Sequence, residues 1–194
     1  MNMYEIILKI IDQKGPSSIP SICEDVNHHP IYMQQRNKPV QLSQIKSVIT
    51  RKNDLFSVQG DVVSLLPEKE LMELTVQVEG SEGKWLKVQV DFIEKDFTFF
   101  EWNFAPTKKL AYEPFTNGSI DEFKQEIYRL KIWNWDLNYE QEGIILDGMC
   151  WKICLETKGK TYKSQGLQTF PKEWARFCRV LSKLTGKKIS ISIR

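Results

Sequence analysis

The sequence predicts an α+β fold organised as two domains. Two observations lead to that prediction: the spacing of the apolar side chains in the first part of the chain and the order of strands and helices in the second. Over roughly the first 65 residues, apolar side chains recur at helical spacing three times and then alternate through a short hairpin. After residue 72 the order becomes strands, helix, strands, helix, which is typical of an antiparallel sheet with two helices packed on one face. We therefore expect one domain at residues 1–67 and a second at residues 72–194.

Three helices are predicted in the first domain. Residues 3–14 place isoleucines on one stripe and stop at a Gly-Pro pair, because glycine and proline both favour the end of a helix. Residues 17–29 give a second, shorter helix that begins with a capping serine. After a loop at residues 29–38, residues 40–52 again carry apolar side chains three and four positions apart, which predicts the third helix.

A β-hairpin follows the third helix. Residues 55–67 read as two strands that meet at Gln59-Gly60-Asp61, where glycine favours a tight turn. Three helices and a hairpin are the layout of a winged helix, in which the third helix presents its polar side outward and the hairpin forms the wing. The first domain is thus predicted to be a winged helix-turn-helix domain.

The first domain also resembles a known family. It combines an apolar first helix, Gly15-Pro16, the pattern K-P-V-x-L-x-x-I-x-x-V-I-x-R-x-x-x-L-F from Lys38 to Phe56, and a G-x-V-x-x-L wing. This combination is similar to the HARE type of helix-turn-helix domain, which occurs in restriction-type enzymes, chromatin-associated proteins and the delta subunit of bacterial RNA polymerase. Over about residues 3–66, the resemblance implies a winged-helix fold in a bacterial protein.

The second domain is predicted to follow the order ββα-ββα. Alternating side chains in residues 85–92 predict strands, and Ser119 is the expected N-cap of the first helix. A further strand pair turns at Gly159, and the last helix stops at Gly186. The tail of this domain is similar to a small α+β domain that recurs in bacterial proteins, and that resemblance implies no function.

Composition limits the classes of protein to be considered. The chain has 194 residues, of which 41% are hydrophobic and 27% charged, and a net charge of +2, so a folded chain is expected. No apolar run is long enough for a membrane span, and the N-terminus lacks the pattern of a signal peptide. The four cysteines, without a C-x-x-C pair, are predicted to be buried, reduced thiols in a cytoplasmic protein.

The strongest functional signal is the basic third helix. Between Val26 and Asn53 the chain carries five lysines or arginines and no carboxylate. On a helix in the major groove, glutamine suits adenine and arginine suits guanine, whereas basic side chains at the flanks meet phosphate. The predicted DNA-contacting residues are Gln41, Gln44, Ser47 and Arg51 at base edges, Arg36, Lys38, Lys46 and Lys52 at phosphates, and Gln59 in the wing.

A second basic region lies near the C-terminus, where residues 158–194 contain ten basic residues and one acid. Four of these residues fall on one side of the last helix and are predicted to form a secondary basic face. Its members are Lys172, Arg176, Arg179 and Lys183. If this face lies on the same side as the third helix, it extends a DNA track. The alternative is that the acidic segment at residues 119–147 docks on the basic tail within one fold.

The sequence contains few groups of residues that are typical of a catalytic or metal site. His28 and His29 are adjacent and have no other metal-ligand residues at suitable spacing, so a structural role in a loop or at a helix end is predicted. Asp91, Glu94 and Asp96 resemble the acidic part of a nuclease site, but the D…E-x-K strand signature is absent. We expect no catalytic residues, no metal and no small-molecule cofactor.

The predicted function is non-enzymatic binding of double-stranded DNA, as a regulator or as the recognition component of a larger DNA-directed system. The C-terminal domain would then provide self-association or contact with a partner protein. One alternative is an adaptor whose winged helix docks a partner protein, because the first 70 residues contain eight basic and eight acidic residues. A weaker alternative is a metal-dependent nuclease with an unrecognised site.

Overall fold

The computed structural model of the chain describes residues 2–35, 38–80, 84–103, 118–140 and 148–189. The structure is mixed α+β with antiparallel sheets, as the sequence predicts. The chain divides into two units, Met1–Glu70 and Leu71–Arg194. None of the helices in the described ranges is long and apolar enough to pass through a bilayer.

The first unit combines helices with a small sheet. In chain order, its described elements are α1 (Met3–Lys14), β1 (Ser17–Ser18), α2 (Ile19–His28), α3 (Pro30–Gln35), α4 (Leu42–Arg51), β2 (Phe56–Gln59), β3 (Val62–Leu65) and a short 3₁₀ turn (Pro67–Lys69). The three helices expected from the sequence correspond to α1, α2 and α4. The expected hairpin corresponds to β2 and β3.

Local sequence explains where α1 begins and ends. The side-chain oxygen of Asn2 accepts a hydrogen bond from the Glu5 N–H, and the Glu5 carboxylate accepts one from the Asn2 N–H at 3.0 Å. At the other end, Gly15 has a φ of 78°, a value that glycine adopts without strain. Between these ends, the isoleucine stripe is buried in the core of the unit.

The short helix α3 differs from the sequence prediction, which places a loop at residues 29–38. Pro30 is the first helical residue, where its missing N–H costs no hydrogen bond. The His29 carbonyl accepts hydrogen bonds from the N–H groups of Tyr32 and Met33, and Tyr32 is buried. A favourable proline and one buried ring therefore produce a helix in a segment too short to show helical periodicity.

The three strands of the first unit form an antiparallel sheet in the order β1-β3-β2. Gly60, with a φ of 61°, lies in the turn between β2 and β3. Ser17 and Ser18 pair with Val63 and Val62 and add the strand β1, which the sequence does not predict. A strand of two residues is too short for any alternation to be read from the sequence.

The second unit is built around a six-stranded sheet. In chain order, its described elements are β4 (Leu71–Glu79), β5 (Lys84–Asp91), β6 (Asp96–Asn103), α5 (Ile120–Leu130), a 3₁₀ turn (Ile132–Asn134), β7 (Asn138–Tyr139), β8 (Cys150–Thr157), β9 (Thr161–Leu167) and α6 (Trp174–Thr185). The strand order is β6-β5-β4-β8-β9-β7. Neighbouring strands are antiparallel except β7 and β9, which are parallel.

Each half of the second unit has three strands before its helix in the described residues, whereas the sequence predicted strand pairs. In the first half, a turn after β5 separates two strands in an aromatic-rich segment. The Asp91 carboxylate accepts hydrogen bonds from the N–H groups of Ile93 and Glu94 and so stabilises this turn. In the second half, the added strand β7 is only two residues long and pairs with β9, far along the chain.

Both α5 and α6 contact the same face of the six-stranded sheet. Phe123 of α5 stacks on Phe92, which follows β5, with 6.2 Å between ring centroids. Trp174 of α6 lies 4.5 Å from the ring of Trp151 in β8. Trp151 also donates a hydrogen bond from Nε1 to the Thr169 carbonyl at 2.8 Å, which satisfies its polar atom within an aromatic core.

The four cysteines are free thiols in this structure. Cys23 and Cys178 are buried, as the sequence predicts, but Cys150 is exposed and Cys154 is only half-buried. The prediction of burial is therefore wrong for Cys150. Both residues belong to β8, where alternate positions point to the sheet face opposite α5 and α6.

Candidate nucleic-acid interface

The chain segment before α4 is held in place by α2. The Asn27 side chain bonds Val40 in both directions: its oxygen accepts from the Val40 N–H at 2.6 Å, and its amide donates to the Val40 carbonyl at 3.2 Å. The Cys23 thiol donates to the same carbonyl at 3.3 Å. Because Val40 is buried, these bonds satisfy backbone groups that water does not reach, and they fix where α4 starts.

Two predicted base-reading residues lie at the N-terminus of α4. Gln41 is the N-cap residue, and its N–H donates a hydrogen bond to Oε1 of Gln44 at 3.0 Å. The side-chain oxygen of Gln44 is thus engaged, while the residue as a whole is exposed. A glutamine that reads adenine uses both its oxygen and its NH₂ group. The predicted contact of Gln44 with adenine would therefore require the release of this cap.

One side of α4 is buried and the rest of the helix is exposed. Ile45 and Ile49 are buried, Val48 is half-buried, and every other residue of the helix is exposed. No carboxylate occurs on α4. Part of the exposed surface forms a shallow groove of about 380 Å³, here called the α4 groove, which is lined by Met3, Ser43, Gln44, Ser47, Val48 and Arg51. Three of the four predicted base-reading residues therefore lie together.

The two basic residues at the end of α4 have different surroundings. Arg51 is exposed, and its Nε donates to the Ser47 carbonyl at 3.2 Å, so both of its NH₂ groups remain as donors. Lys52 is half-buried, and its ammonium lies 4.5 Å from the ring centroid of Tyr4, a cation–π contact. Lys52 is thus directed toward α1, whereas Arg51 lines the α4 groove.

The remaining predicted DNA contacts are more dispersed. Lys46 is exposed on α4, and Lys38 is exposed in the segment before it. Gln59 is exposed at the end of β2, beside the turn. Arg36 lies outside the described residues. The α4 groove is therefore the part of the predicted interface that the structure brings together.

The secondary basic face of α6 is partly neutralised by α5. Arg176 lies 2.8 Å from the Glu126 carboxylate, and Lys183 lies 2.7 Å from the Glu122 carboxylate. Arg179 is exposed on α6, whereas Lys172 is exposed but precedes the first residue of the helix, so it is not part of the predicted helix side. Acidic side chains of α5, within residues 119–147, therefore pair with basic side chains of α6. This agrees with the alternative that the acidic segment docks on the basic tail within one fold.

Hydrogen bonding favours the ionised forms of Glu126 and Lys183. Burial by itself raises the pKa of Glu126, but hydrogen bonds from Arg176 and Arg129 outweigh that effect and lower the pKa overall. The hydrogen bond to Glu122 raises the pKa of Lys183. This face therefore offers an anionic partner fewer unpaired cations than its sequence implies.

The residues considered for catalytic chemistry take part in local structure. Asp91 stabilises the turn after β5, and Asp96 accepts a hydrogen bond from the Phe97 N–H at 2.7 Å. Nδ1 of His28 lies 2.9 Å from the Glu24 carbonyl at the end of α2. Within the described part of the chain, no group of three His, Cys, Asp or Glu side chains is arranged to hold a metal ion.

Sequence reasoning missed the contribution of α1 to the α4 groove. Met3 lines the groove, and Tyr4 provides the ring that Lys52 covers. Both residues belong to the general apolar pattern of α1, and nothing in that pattern indicates which distant helix they approach. The aromatic ring of Tyr4 is a signal for a cation–π partner, but it does not identify Lys52 as that partner.

No protein-family model matches this chain, and no curated protein or solved structure matches it either. Among the described residues, the α4 groove is where the side chains predicted to read bases come together.

Proposed function

We propose that the chain is a cytoplasmic, non-enzymatic protein that binds double-stranded DNA through its first unit, acting as a HARE-type winged helix. The observation that carries this proposal is the α4 groove, an exposed surface of a carboxylate-free helix that brings together Gln44, Ser47 and Arg51. The protein would serve as a regulator or as the recognition component of a larger DNA-directed system. The second unit would provide self-association or contact with a protein partner.

Arg51 has the central role at base edges in this proposal. Its guanidinium is always charged and presents a planar set of donors that fits the N7 and O6 acceptors of guanine. Within its helix only Nε is used, by the Ser47 carbonyl. Replacement of Arg51 by alanine is therefore expected to relax the preference for guanine at one position of the site, by about 1–3 kcal/mol.

Lys46 and Lys38 supply contacts with phosphate. Both are exposed, and neither needs to break an ion pair to meet a phosphate. Neutralised phosphates release counterions, so binding is expected to weaken steeply as salt rises. Lys52 is a poorer probe of these contacts, because a substitution there also removes the cation–π contact with Tyr4.

The proposal is tested by fluorescence-anisotropy titration of a random duplex of about 30 base pairs with the full chain. The test variant carries Lys46→Glu and Arg51→Glu, two exposed positions on α4. Its matched control carries Lys158→Glu and Lys160→Glu, which change the net charge equally at the exposed β8–β9 turn of the second unit.

The expected result is salt-sensitive duplex binding that the α4 variant loses and the control variant keeps. If the wild-type chain fails to bind at low salt, the DNA-binding role is wrong. Equal losses in the two variants would show a nonspecific charge effect and would also reject α4 as the contact.

A second candidate function is docking of a partner protein by the first unit. Among the described residues of that unit, four large apolar side chains are exposed, at fractions between 44% and 62%: Met33, Leu42, Val58 and Val62. Exposed apolar groups on a unit with balanced charge are typical of a protein interface. In that case Leu42→Ser with Met33→Ser would abolish the protein complex, whereas the charge reversal on α4 would leave it intact.

A further inference from the structure

The six-stranded sheet of the second unit has two chemically different faces. The face that contacts α5 and α6 carries buried apolar residues such as Val76, Val88 and Ile153, which are aligned across three strands. Alternate side chains of a strand point to opposite faces. The pairing registers therefore define a second face, here called the open face, which begins with Trp85 of β5 and Cys150 of β8.

An aromatic corner lies at the β6 edge of the open face. Trp85 is paired with Trp102, and its ring lies 5.4 Å from that of Phe100 in an edge-on arrangement. The Phe100 and Trp102 rings are 6.5 Å apart with planes inclined by 17°. Phe100 is 49% exposed and Trp102 is 50% exposed. Half-exposed, nearly parallel rings offer a platform on which another planar ring can stack.

Basic and amide side chains continue from this corner across the sheet. Phe100 is opposite Lys87, and Lys87 is opposite Gln77. Gln77 is in turn opposite Lys152, which is opposite Gln165. With neighbouring strands about 4.8 Å apart, this row is about 19 Å long, which is enough for a few nucleotides.

A cavity of about 430 Å³ lies on the same face, over β4, β8 and β9. Lys152 and Lys163 line it, together with the polar side chains of Thr75 and Gln77. Within the described residues, neither of these lysines forms an ion pair, and Lys87 forms none. Three cations without carboxylate partners on one surface favour an anionic ligand.

Among the described residues, most carboxylates of the open face lie at its opposite end, whereas Glu79 lies opposite Trp85 and Cys150 at the aromatic end. Glu73 is opposite both Asp91 and Glu156 in the register of the sheet. Its Oε1 accepts hydrogen bonds from Thr75 at 3.1 Å and from Gln89 at 3.0 Å, so it is held in place. This acidic end repels phosphate, which favours Lys87 and Lys152, two rows of side chains away from it, as contacts for an anionic ligand.

We propose that the open face binds a short single-stranded nucleic acid. Its bases stack on Phe100 and Trp102, and its phosphates contact Lys87, Lys152 and Lys163. A duplex does not fit this chemistry, because its bases are already stacked on one another. A neutral sugar would use the aromatic rings but would leave the three lysines unpaired. The proposal does not depend on duplex binding by the first unit.

The test is a fluorescence-anisotropy titration of a labelled oligonucleotide of about 12 thymidines with the full chain at low salt. One variant carries Phe100→Ala and Trp102→Ala, and it is expected to bind at least about tenfold more weakly because stacking is lost. A second variant carries Lys152→Ala and Lys163→Ala and should bind more weakly with a shallower salt dependence. Because both lysines are exposed, this variant tests the proposal even if the aromatic variant does not fold.

Two control variants remove similar side chains elsewhere. Met33→Ala removes a large apolar side chain that is 62% exposed in the first unit. Lys14→Ala with Lys188→Ala removes two exposed lysines, at the end of α1 and after α6, outside the open face. Thermal unfolding followed by far-ultraviolet circular dichroism, which reports both units, verifies that each variant is folded.

Loss of oligonucleotide binding in the open-face variants, with unchanged binding in the controls, would support the proposal. It is overturned if the wild-type chain does not bind the oligonucleotide at low salt, or if the controls lose binding equally. It is also overturned if Lys46→Glu with Arg51→Glu removes oligonucleotide binding, since the strand would then bind the first unit. Binding of a neutral hexasaccharide in place of the oligonucleotide would assign the open face to another ligand class.

Discussion

At the scale of single residues, burial separates the four thiols of the chain. Burial raises the pKa of Cys178 to about 12, whereas Cys150 is exposed on the open face. The thiolate is the reactive form and must be reached by the reagent. Iodoacetamide should therefore label Cys150 in the folded protein and Cys178 only after unfolding. Mass spectrometry of the labelled peptides measures both rates, and equal rates before denaturation would contradict the orientation of β8.

One histidine connects the stability of the first unit to pH. His29 follows α2 with its Nδ1 buried, and burial together with the charge of Lys9 lowers its pKa below the ordinary 6.5. As pH falls below that value, the unfolded chain binds a proton before the folded chain does. The stability that depends on neutral His29 is therefore present above about pH 6.5 and is lost as pH falls.

The substitution His29→Gln should make the stability of the first unit less sensitive to acid. The measurement is the urea midpoint of the full chain, followed by far-ultraviolet circular dichroism between neutral pH and pH values below the ordinary histidine pKa. The wild-type midpoint should decrease more than that of the variant. Parallel pH curves for the two proteins would show that His29 is not the responsible group.

At the scale of elements, the position of α4 depends on Asn27. Asn27→Ala removes both bonds to Val40 and leaves its buried N–H unpaired, although the Cys23 thiol still donates to the Val40 carbonyl; the expected cost is about 1–3 kcal/mol in the free energy of unfolding. Asn53→Ala, at an exposed position of the same unit, is the matched control. Urea unfolding followed by circular dichroism compares the two, and equal midpoints would mean that the Asn27 bonds do not hold the segment.

Strand β9 packs so closely against Trp151 and Thr169 that residue 166 has no room for a side chain. A Cβ there would lie 2.5 Å from the Thr169 carbonyl oxygen and 2.6 Å from Trp151 Nε1, in the space of their hydrogen bond. Gly166→Ala is therefore expected to destabilise the second unit by about 1–3 kcal/mol. All six tryptophans lie in this unit, so tryptophan fluorescence during urea unfolding reports the change. Lys163→Ala in the same strand should have little effect, and similar midpoints for both variants would contradict the close packing at Gly166.

Elements with strong local signals could be predicted from the sequence, and short elements could not. The bounds of α1 and α2 follow from capping residues, a Gly-Pro stop and an apolar stripe, which act over a few neighbouring positions. The short elements α3, β1 and β7 depend on contacts with distant residues, such as the pairing of Ser18 with Val62. Periodicity over two to six residues does not carry that information.

At the scale of the whole molecule, each candidate site also combines local features, which the sequence predicts, with long-range contacts, which it does not predict. The sequence predicts that Gln44, Ser47 and Arg51 share an exposed helix side, because helical spacing is a local property. It does not place Met3 in the α4 groove, and it does not align Phe100 with the lysines of the open face, because both depend on long-range pairing. The pattern of charge likewise permits two interpretations of the α6 face, and the ion pairs of Arg176 and Lys183 with α5, which agree with the docking interpretation, depend on contacts that the sequence does not show.

Duplex binding by α4 is tested most directly by the slope of log affinity against log salt concentration. Each phosphate contact contributes about 0.9 to the magnitude of that slope. Lys46→Gln should therefore reduce the magnitude by about one, whereas the matched variant Lys160→Gln, at the exposed β8–β9 turn, should leave it unchanged. A slope near zero for the wild-type chain, or equal changes in the two variants, would contradict a role for α4 in binding DNA.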